Sequence, residues 1–583
     1  MKSSLLNHEK FNSLYESLSG KNHSVYLCFI FLLMFYFPTT EILAQDRLSG
    51  EPFSTRSEVI AGNGMVATNQ PLASQIAIEI LKNGGSAVDA AIAANVFLGF
   101  ADPAMNGLGG DLFAIIWSDE DQKLYALNAS GKSSATLTRE DLIEMGVNRI
   151  TGSSPHAVTV PGAVDGWVEM HNKFGRLNFA ELLQPTIRYA REGVAVHAEV
   201  ADLMDFLDRD LISGYGLPDD FSWDDMEYFS SIYRPEGRFP VKGELFKNED
   251  LANTLELLAD GGRDAFYRGE VAEIIVNHLQ ELGGRLTLDD FASHTSEWVE
   301  PISTNYRGYD VWQIPPPTQG MSVLQMLNIL EGYSMAEYGF GSPEHVHYFT
   351  EAKKLAYADL GSYYADPHFN DLPIDELLSK EYADERRELI RNDWAQEYGP
   401  GLSEESHTIY LTVADSDGNM ISLIQSNSWL FGSLIMPPGL GFPLQNRGTG
   451  FTLQEDHVNS FEPAKRPFHT IIPAFITKEG VPYVSFGLTG GAMQPQGHVQ
   501  IVMNLIDFGM NIQEASDAPR IRHGNGVELE SGFSYNTVRE LMIMGHNVMY
   551  GFERFGGFQG ILYDGTFFYG ASDHRKDGHA AGY

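Results

Sequence analysis

Apolar residues recur at helical spacing from residue 71 onward. The segment PLASQIAIEILKNGG (71–85) places its leucines and isoleucines on one face and ends at two glycines, which predicts a helix with a glycine stop. The following SAVDAAIAANVFLGF (86–100) predicts a second helix, whose small apolar residues indicate burial. The apolar run LFAIIW (112–117) is typical of a buried strand. This part of the chain is therefore predicted to mix helices and strands.

The pattern changes further along the chain. Residues 162–392 read mainly as helices, with a turn-rich break at PPPTQG (315–320). From residue 408 onward, short alternating strands are separated by glycine-rich turns. The glycine cluster NGLGG (106–110) precedes a strand, whereas a dinucleotide-binding fingerprint has its glycines between a strand and a helix. Dinucleotide binding is rejected on that ground.

A predicted β-hairpin brings two hydroxyl side chains together. The strands 408–414 and 420–426 flank an Asp-Gly turn, a strong short-range hairpin signal. If the hairpin is centred on this turn, Thr408 faces Ser426, and Asn427 lies just beyond. Cross-strand neighbours lie within hydrogen-bonding reach. Spacing alone nevertheless favours Thr408 as an ordinary strand residue.

Two further segments carry candidate chemistry. In VSFGLTGGAMQPQG, Gly490 and Gly491 lie at a predicted turn from strand to helix, where backbone N–H groups can bind an anion. The alternative is a tight turn that merely needs glycine. In KRPFHTIIP, His469 and Thr470 lie on a loop that enters a strand, where a single histidine is more often structural than catalytic.

The composition excludes several classes of protein. With 43% apolar and 20% charged residues, the 583-residue chain is not a disordered chain, a coiled coil, a collagen or a polytopic membrane protein. A formal net charge of −39 makes nucleic acid a poor partner. The single cysteine, Cys28, excludes a disulfide framework and a cysteine-based zinc site.

The N-terminus predicts export. An apolar run of 13 residues (25–37) follows several lysines and is too short to span a membrane comfortably. Residues 1–44 are therefore predicted to be a signal peptide cleaved before Gln45, with an uncleaved anchor as the alternative. The expected location is periplasmic or secreted.

Many motifs in a fixed order resemble the γ-glutamyltransferase family, a branch of the N-terminal-nucleophile hydrolases. The matching motifs are QPLASQIAIEILKNGGSAVDAAIAA, PAMNGLGGDLFAI, VTVPGAVDGWVEMHNKFGRL, PPPTQGMSVLQMLNILEGY, EAKKLAYADLGSYYADP, HTIYLTVADSDGNMISLIQSN, KRPFHTIIPAF, GLTGGAMQPQGHVQIVMNLIDFG and GASDHRKDGHAAGY. The resemblance implies an α+β fold, a four-layer αββα sandwich with a large helical portion in the N-terminal subunit.

The resemblance also implies self-cleavage between His407 and Thr408. One precursor would give a large subunit (45–407) and a small catalytic subunit (408–583). The freed α-amino group of Thr408 would activate its own hydroxyl as the nucleophile. By the same resemblance, Ser426 supports the nucleophile, and Gly490 and Gly491 donate N–H groups to the tetrahedral intermediate. Water or an amine would resolve the acyl-enzyme, and neither a metal nor an organic cofactor is implied.

The sequence departs from the family pattern where the donor substrate binds. Ser130 stands at the position of the family's carboxylate-binding arginine, with Lys132 nearby. Gly450 replaces the acidic residue that pairs with the substrate α-amino group, and Arg447 lies three residues earlier. His469 and Thr470 stand where the family has paired serines.

We therefore expect the catalytic machinery to be retained and the donor pocket to be rebuilt around Arg447, with Asn427 as a further substrate contact. The predicted function is an autoprocessing amide hydrolase or acyltransferase with an acylase-like or amidohydrolase-like substrate. One alternative is an ordinary γ-glutamyltransferase or glutathione hydrolase that uses Lys132 or Arg447 for the α-carboxylate. The other is an uncleaved, non-catalytic binding protein.

Overall fold

Two seven-stranded β-sheets contain most of the strands in the computed structural model of the protein. The structure describes residues 51–398, 407–552 and 555–583. The predicted signal segment and its cleavage point lie outside these residues. Phe53–Tyr583 forms one compact unit, and every element named below belongs to it.

Helices are concentrated between the first and the last groups of strands. In chain order, the α-helices of the described residues are α1 Pro71–Lys82, α2 Ala87–Ala101, α3 Arg139–Glu144, α4 Ala163–Phe174, α5 Phe179–Glu192, α6 Ala198–Phe206, α7 Glu227–Tyr233, α8 Glu249–Tyr267, α9 Glu270–Glu281, α10 Leu288–Ser293, α11 Gly320–Leu330, α12 Met335–Tyr338, α13 Pro343–Tyr363, α14 Ile374–Leu377, α15 Lys380–Glu388, α16 Met493–Ile506, α17 Ile512–Asp517 and α18 Tyr535–Ile543.

Strands occur near both ends of the described chain and at several places between them. They are β1 Val59–Ala61, β2 Met65–Thr68, β3 Asp111–Ser118, β4 Lys123–Ala129, β5 Val194–Ala195, β6 Leu245–Phe246, β7 Glu297–Val299, β8 Ile302–Tyr306, β9 Tyr309–Gln313, β10 His407–Ala414, β11 Met420–Ser428, β12 Ala474–Lys478, β13 Val481–Leu488, β14 Ile521–His523, β15 Val527–Leu529, β16 Val548–Tyr550, β17 Phe558–Tyr563, β18 Phe568–Ser572 and β19 His579–Gly582.

Both large sheets combine strands from the two sides of residue 408. The first sheet has the order β19-β2-β10-β11-β3-β4-β7, and the second has the order β1-β18-β17-β13-β12-β9-β8. The strand that begins at His407 therefore lies between β2, from the beginning of the chain, and β11. The pairs β10–β11 and β11–β3 are both antiparallel.

The capping residues explain why the first two helices begin where the sequence predicted. The side chain of Gln70 accepts a hydrogen bond from the backbone of Ala73, and proline occupies the first turn of α1. Ser86 and Asp89 form a capping box at the start of α2. Every residue of α2 is buried, so the prediction that this helix is buried is confirmed.

The apolar run in β3 is buried on both faces because the sheet packs against a sheet on one side and helices on the other. Phe113, Ile115 and Trp117 belong to a core shared with the second sheet. The alternate residues Leu112 and Ile116 belong to a core shared with helices such as α1 and α2. Successive side chains of a strand point to opposite faces, so a strand between two apolar layers has no polar side.

The helical interpretation of residues 162–392 missed five strands, of which β5 and β6 form a small sheet of their own. β7 joins the first sheet, and β8 and β9 form one edge of the second. β8 and β9 form a five-pair antiparallel hairpin around Arg307–Gly308, and both have partly exposed positions that weaken the apolar signal. Among the described residues, no helix is both long enough and apolar enough to cross a membrane.

Candidate functional site

The candidate nucleophile lies at an irregularity in the β10–β11 hairpin. Ala414 pairs with Met420, so the hairpin is centred on its Asp-Gly turn as predicted. Near the other end, Ile409 pairs with Gln425, whereas His407 pairs with Ser428, so the register shifts by one residue. The regular pairing expected between Thr408 and Ser426 is therefore replaced by a β-bulge. A bulge re-aims side chains and is common beside active sites.

In this bulge, Thr408 is opposed by two residues, Ser426 and Asn427. Thr408 is fully buried. The Ser426 hydroxyl accepts a hydrogen bond from the backbone N–H of Ser428 at 2.8 Å. Ser428 has a positive φ of 77°, an unusual conformation for a residue with a side chain. The strand end is thus held in a shape that places Ser426 and Asn427 beside Thr408.

A row of polar residues continues across the sheet from this bulge. Ser426 pairs with Asp111, the first residue of β3. The Asp111 Oδ1 atom accepts a hydrogen bond from the backbone N–H of Gly131 at 3.0 Å, next to Ser130 at the end of β4. Adjacent antiparallel strands alternate in direction. The same end of the sheet therefore contains the start of β10, the end of β11, the start of β3 and the end of β4.

The predicted glycine pair lies in the turn between β13 and α16. Gly490 and Gly491 have φ values of 110° and 55°, in the region that glycine adopts without strain. A Cβ atom added to Gly490 would lie 3.2 Å from the Cα atom of Gly556. The turn therefore requires glycine for conformation and, at Gly490, for space.

A glutamine connects this turn to the candidate nucleophile. The Nε2 atom of Gln494, in the first turn of α16, lies 3.4 Å from the Oγ1 atom of Thr408. Its Oε1 atom accepts a hydrogen bond from the backbone of Ile472 at 2.9 Å. A second glutamine, Gln319, donates to the backbone oxygens of Gly491 and Thr470. These two amides tie the glycine turn to β10 and to the loop before β12.

The candidate substrate residues Arg447, His469 and Thr470 come together in this region. The Arg447 Nη1 atom donates to the Thr470 Oγ1 atom at 3.0 Å. The His469 Nε2 atom lies 4.0 Å from the Asp111 Oδ2 atom, and both residues are fully buried. The sequence prediction that these residues share a pocket is thus consistent with their positions, and the structure adds Asp111 to the group.

Burial determines the charge state of this group. Burial lowers the pKa of His469 well below its ordinary value, and Arg447 and Arg466 act in the same direction. Burial raises the pKa of Asp111 to about 7, although Arg447 and the backbone N–H of Gly131 oppose the shift. The imidazole is therefore neutral at pH 7, and the carboxyl is divided between its two forms.

Several polar atoms around Asp111 have no hydrogen-bond partner among the described residues. They are the Asp111 Oδ2 atom, both ring nitrogens of His469, and both side-chain amide atoms of Asn427. Buried polar groups are almost always paired, because an unpaired one costs about 1–3 kcal/mol. A cluster of such atoms next to a candidate nucleophile is typical of a site that a ligand completes.

The other two candidate residues differ in their surroundings. The Ser130 hydroxyl donates to the Asn128 Oδ1 atom at 2.6 Å, and its backbone oxygen accepts from the Arg466 Nε atom at 3.1 Å. Lys132 is partly exposed and helps to lower the pKa of His294. A Cβ atom added to Gly450 would lie 2.9 Å from the backbone oxygen of Phe468, so a longer side chain there requires a shift.

Sequence reasoning missed Asp111, Gln494 and Gln319. Gln494 lies in the quoted segment GLTGGAMQPQG, and Asp111 begins the apolar strand that follows NGLGG. In the sequence, Asp111 is recognisable only as a single aspartate at the start of a buried strand. Its importance follows only from the β3–β11 pairing, which places it opposite Ser426.

A separate buried cluster has donor atoms that could hold a metal ion. His347, Glu351 and His546 place their donor atoms within 4.8 Å of one another. His347 Nδ1 and His546 Nε2 are already hydrogen-bonded at 2.8 Å. Glu351 accepts from Lys354 Nζ at 2.8 Å and from the Tyr398 hydroxyl at 2.8 Å. These contacts satisfy the three side chains as a structural network.

Comparisons with known proteins identify the family of the chain. A sequence model described as Gamma-glutamyltranspeptidase matches residues 73–583. The chain is 37% identical over 539 residues to the Glutathione hydrolase-like YwrD proenzyme of Bacillus subtilis (strain 168), covering 90% of this chain and 99% of that protein. It is 36% identical over 529 residues to the Acylase ACY 1 proenzyme of Pseudomonas sp. (strain SE83), covering 88% and 92%.

The chain is also similar to a solved structure. The crystal structure of cephalosporin acylase from Bacillus halodurans matches with a TM-score of 0.85 and 40% sequence identity, covering 92% of this chain and 99% of that chain. The resemblance found in the sequence motifs is therefore confirmed, and the chain is an enzyme that belongs to the gamma-glutamyltranspeptidase family.

Proposed function

We propose that this enzyme cuts itself between His407 and Thr408 and then uses Thr408 to hydrolyse or transfer the acyl group of a small-molecule amide. The observation that carries the proposal is the environment of Thr408. It is a fully buried hydroxyl in a bulge opposite Ser426, in contact with the first turn of the helix after Gly490 and Gly491. The relatives named above are proenzymes, which supports activation by cleavage.

The chemistry follows from the new amine. An α-amino group has an ordinary pKa of about 8, so part of it is neutral at pH 7. The amine of Thr408 takes the hydroxyl proton as Oγ1 bonds to the amide carbon. It then returns the proton to the leaving nitrogen as the C–N bond breaks, which leaves an ester on Thr408. Water or an acceptor amine attacks that ester in the same way and releases the acyl group.

The glycine turn and Ser426 would stabilise the charge that develops. Backbone N–H groups of Gly490 and Gly491 are our candidates for the oxyanion donors, and losing one such donor typically raises the barrier by about 2.7–4 kcal/mol. The Ser426 hydroxyl would support Thr408 across the bulge. Every step uses side chains and backbone groups of this chain.

We further propose that the acyl donor carries a carboxylate and is not a standard γ-glutamyl group. Ser130 stands at the position of the family's carboxylate-binding arginine, and its hydroxyl is hydrogen-bonded to Asn128. Gly450 provides no acidic side chain for a substrate amino group. Arg447 is a buried cation held by Thr470, in the group that includes His469. An arginine binds a carboxylate through two parallel hydrogen bonds, which lysine does not reproduce. Asn427 would contribute its amide, and Lys132 remains a predicted substrate-binding residue.

The test compares two chromogenic donors. Wild-type and Arg447→Ala enzymes are assayed on glutaryl-p-nitroanilide and γ-glutamyl-p-nitroanilide, with Arg539→Ala, an exposed surface arginine, as the control. We expect Arg447→Ala to lose about 10- to 150-fold in kcat/KM on the glutaryl compound, as for a charge-assisted hydrogen bond of about 1.5–3 kcal/mol. Efficient turnover of the γ-glutamyl compound that does not depend on Arg447 would contradict the proposal.

The first relative's name favours an ordinary glutathione hydrolase as the second candidate. Competition separates the two candidates, because free glutamate would inhibit such an enzyme better than glutarate does. A non-catalytic binding protein of the same fold would stay uncut, and a denaturing gel would show one band in place of two.

The larger organisation is part of the same proposal. We infer a signal peptide at residues 1–44, a large subunit at 45–407 and a small subunit at 408–583, in an exported enzyme. We also infer that the two sheets and their outer helices form the family's αββα sandwich. Support comes from the apolar core that the sheets share and from the two further cores between sheets and helices.

A further inference from the structure

Asp111 is the one buried carboxylic acid that the sheet pairing places directly opposite Ser426. Its Oδ1 atom is fixed by the backbone N–H of Gly131 at 3.0 Å, and its Oδ2 atom has no hydrogen-bond partner among the described residues. A carboxyl group held in this way has one oxygen occupied by the protein and the other available to a ligand.

The groups around Asp111 are predominantly hydrogen-bond donors or neutral. Arg447 and Arg466 both act on its pKa, and neutral His469 lies 4.0 Å from Oδ2. Tyr267 of α8 also interacts with Asp111, and burial raises the pKa of its hydroxyl well above the ordinary value. The Asn427 side-chain amide has no hydrogen-bond partner in the described part of the chain and adds a further donor at the neighbouring strand end.

This inference rests on the proposed function, since it concerns the donor pocket of the same site. We propose that Asp111, in its protonated form, donates a hydrogen bond from Oδ2 to the distal carboxylate of the acyl donor. Together with Arg447 it would select anionic acyl groups that lack an amino group, such as the monoamides of dicarboxylic acids. Asp111 is thus a specificity-determining residue.

The charge state of Asp111 determines which acyl donors bind. A protonated Asp111 adds a donor beside Arg447 and leaves the pocket net positive, which suits a carboxylate. An ionised Asp111 would neutralise Arg447 and repel the same carboxylate, while it would attract an ammonium group. The raised pKa of about 7 allows the protonated form to dominate below neutral pH. Selectivity for carboxylate donors should therefore weaken as the pH rises.

The experiment measures glutarate binding to the processed enzyme by calorimetry at pH 6, 7 and 8, in parallel with KM for glutaryl-p-nitroanilide. We expect the Kd to rise about tenfold from pH 6 to pH 8, because a group with a pKa of about 7 loses most of its protonated form over this range. Asp111→Asn keeps a neutral donor at this position, so its Kd should stay low and change less than twofold. Direct binding leaves out the catalytic role of the Thr408 amine, and the charge of this amine is common to the wild type and the variant.

Asp102→Asn is the matched control. Asp102 is also a buried aspartate whose pKa is raised to about 7, but its charged neighbours are Lys576 and Asp577. This variant should keep the wild-type dependence of Kd on pH. The same dependence in Asp111→Asn as in the wild type, or no glutarate binding at any pH, would overturn the inference.

The proposed function has its own readout. Absence of the cut at Thr408, or of all amide turnover, would contradict the proposed function. A processed, active enzyme whose Asp111→Asn variant binds glutarate with the same dependence on pH as the wild type would contradict only the role of Asp111.

Discussion

At the scale of single residues, the candidate site depends on where one hydroxyl lies. The side chain of Thr408 is fully buried, and the bulge replaces one regular cross-strand neighbour with two polar ones, Ser426 and Asn427. An ordinary strand threonine needs neither the irregular pairing nor the glutamine amide that reaches it from α16. The local structure therefore favours the nucleophile over the ordinary strand residue.

Thr408→Ala should remain one uncut chain and show only background amidase activity, because it lacks the oxygen that attacks both its own peptide bond and the substrate. Thr408→Ser should still be cut, since it keeps a hydroxyl. Thr412→Ala is the control: Thr412 is buried in the same strand, and its hydroxyl bonds to Ser485 at 2.7 Å. A denaturing gel and N-terminal sequencing give the answer. Cleavage of Thr408→Ala at this bond would exclude the mechanism.

Gln494→Met should lower kcat/KM by about 2- to 13-fold, because a neutral hydrogen bond contributes about 0.5–1.5 kcal/mol. Methionine preserves the volume of the side chain and removes its donor to Thr408. Gln500→Met is the comparison, since Gln500 is a buried glutamine of the same helix that bonds to Gln496 and Ile521. If kcat/KM falls equally in both variants, in proportion to the decrease in their melting temperatures, the role of Gln494 is only structural.

At the scale of secondary structure elements, the turn between β13 and α16 decides where the N-terminus of α16 points. It contains two consecutive glycines with positive φ, and Gln319 holds the backbone oxygen of the second at 2.8 Å. The helix begins two residues later and carries Gln494 in its first turn. A change in this turn should therefore alter catalysis more than stability.

Gly490→Ala tests this turn. The added Cβ atom meets the Cα atom of Gly556 at 3.2 Å, so the turn must shift, and we expect kcat to fall by at least about tenfold, equivalent to about 1.4 kcal/mol. Gly480→Ala supplies a matched strain, because Gly480 has a φ of 80° and no atom within 4 Å of its Cβ position. Each of the two variants should lose about 1–2 kcal/mol of folding stability, and Gly480→Ala should keep the wild-type kcat. Equal kinetic losses in the two variants would be evidence against the role of the turn.

The elements also show what could be predicted from the sequence and what could not. Helical spacing with a glycine stop was sufficient to predict α1, the run of small apolar residues was sufficient to predict α2, and the Asp-Gly turn was sufficient to predict the β10–β11 hairpin. β8 and β9 were missed because their polar, half-exposed positions give no clear period, and their pairing with β12 is a long-range contact. The meaning of Asp111 was hidden for the same reason, since only the assembled sheet brings it opposite Ser426.

At the scale of the whole molecule, the buried histidines control stability against acid. Burial lowers the pKa of His294 to about 4 and that of His345 and His498 to about 3. An unfolded histidine has a pKa of about 6.5, so below this pH the unfolded state takes up protons that the folded state refuses. Stability from these groups is present above pH 6.5 and is lost as the pH falls.

Two buried acids act in the opposite direction. The pKa of Asp102 and of Asp111 is raised to about 7, so their contribution is largest at low pH and is lost as the pH rises from about 4 to 7. Burial also raises the pKa of Asp359, Asp507 and Glu58. Among the described residues, the histidines with a lowered pKa still outnumber the acids with a raised pKa, so we expect the melting temperature to fall from pH 7 to pH 4.5. His498→Gln should flatten this dependence, whereas His368→Gln, a substitution at a side chain that is 60% exposed, should not. Calorimetry would contradict the prediction if the melting temperature stayed constant or rose.

The order of the strands in the first sheet has a further consequence for refolding after cleavage. If the bond before Thr408 is cut, β10, β11 and β19 belong to one fragment, yet β2 from the other fragment lies between β19 and β10, and β3 pairs with β11. Neither piece can close its sheet alone, and once strongly denatured the two must find each other at a rate set by their concentration. The enzyme would then fold once, as an uncut chain, and its denatured fragments would not refold efficiently. A denatured molecule would have to be replaced by a newly synthesised one.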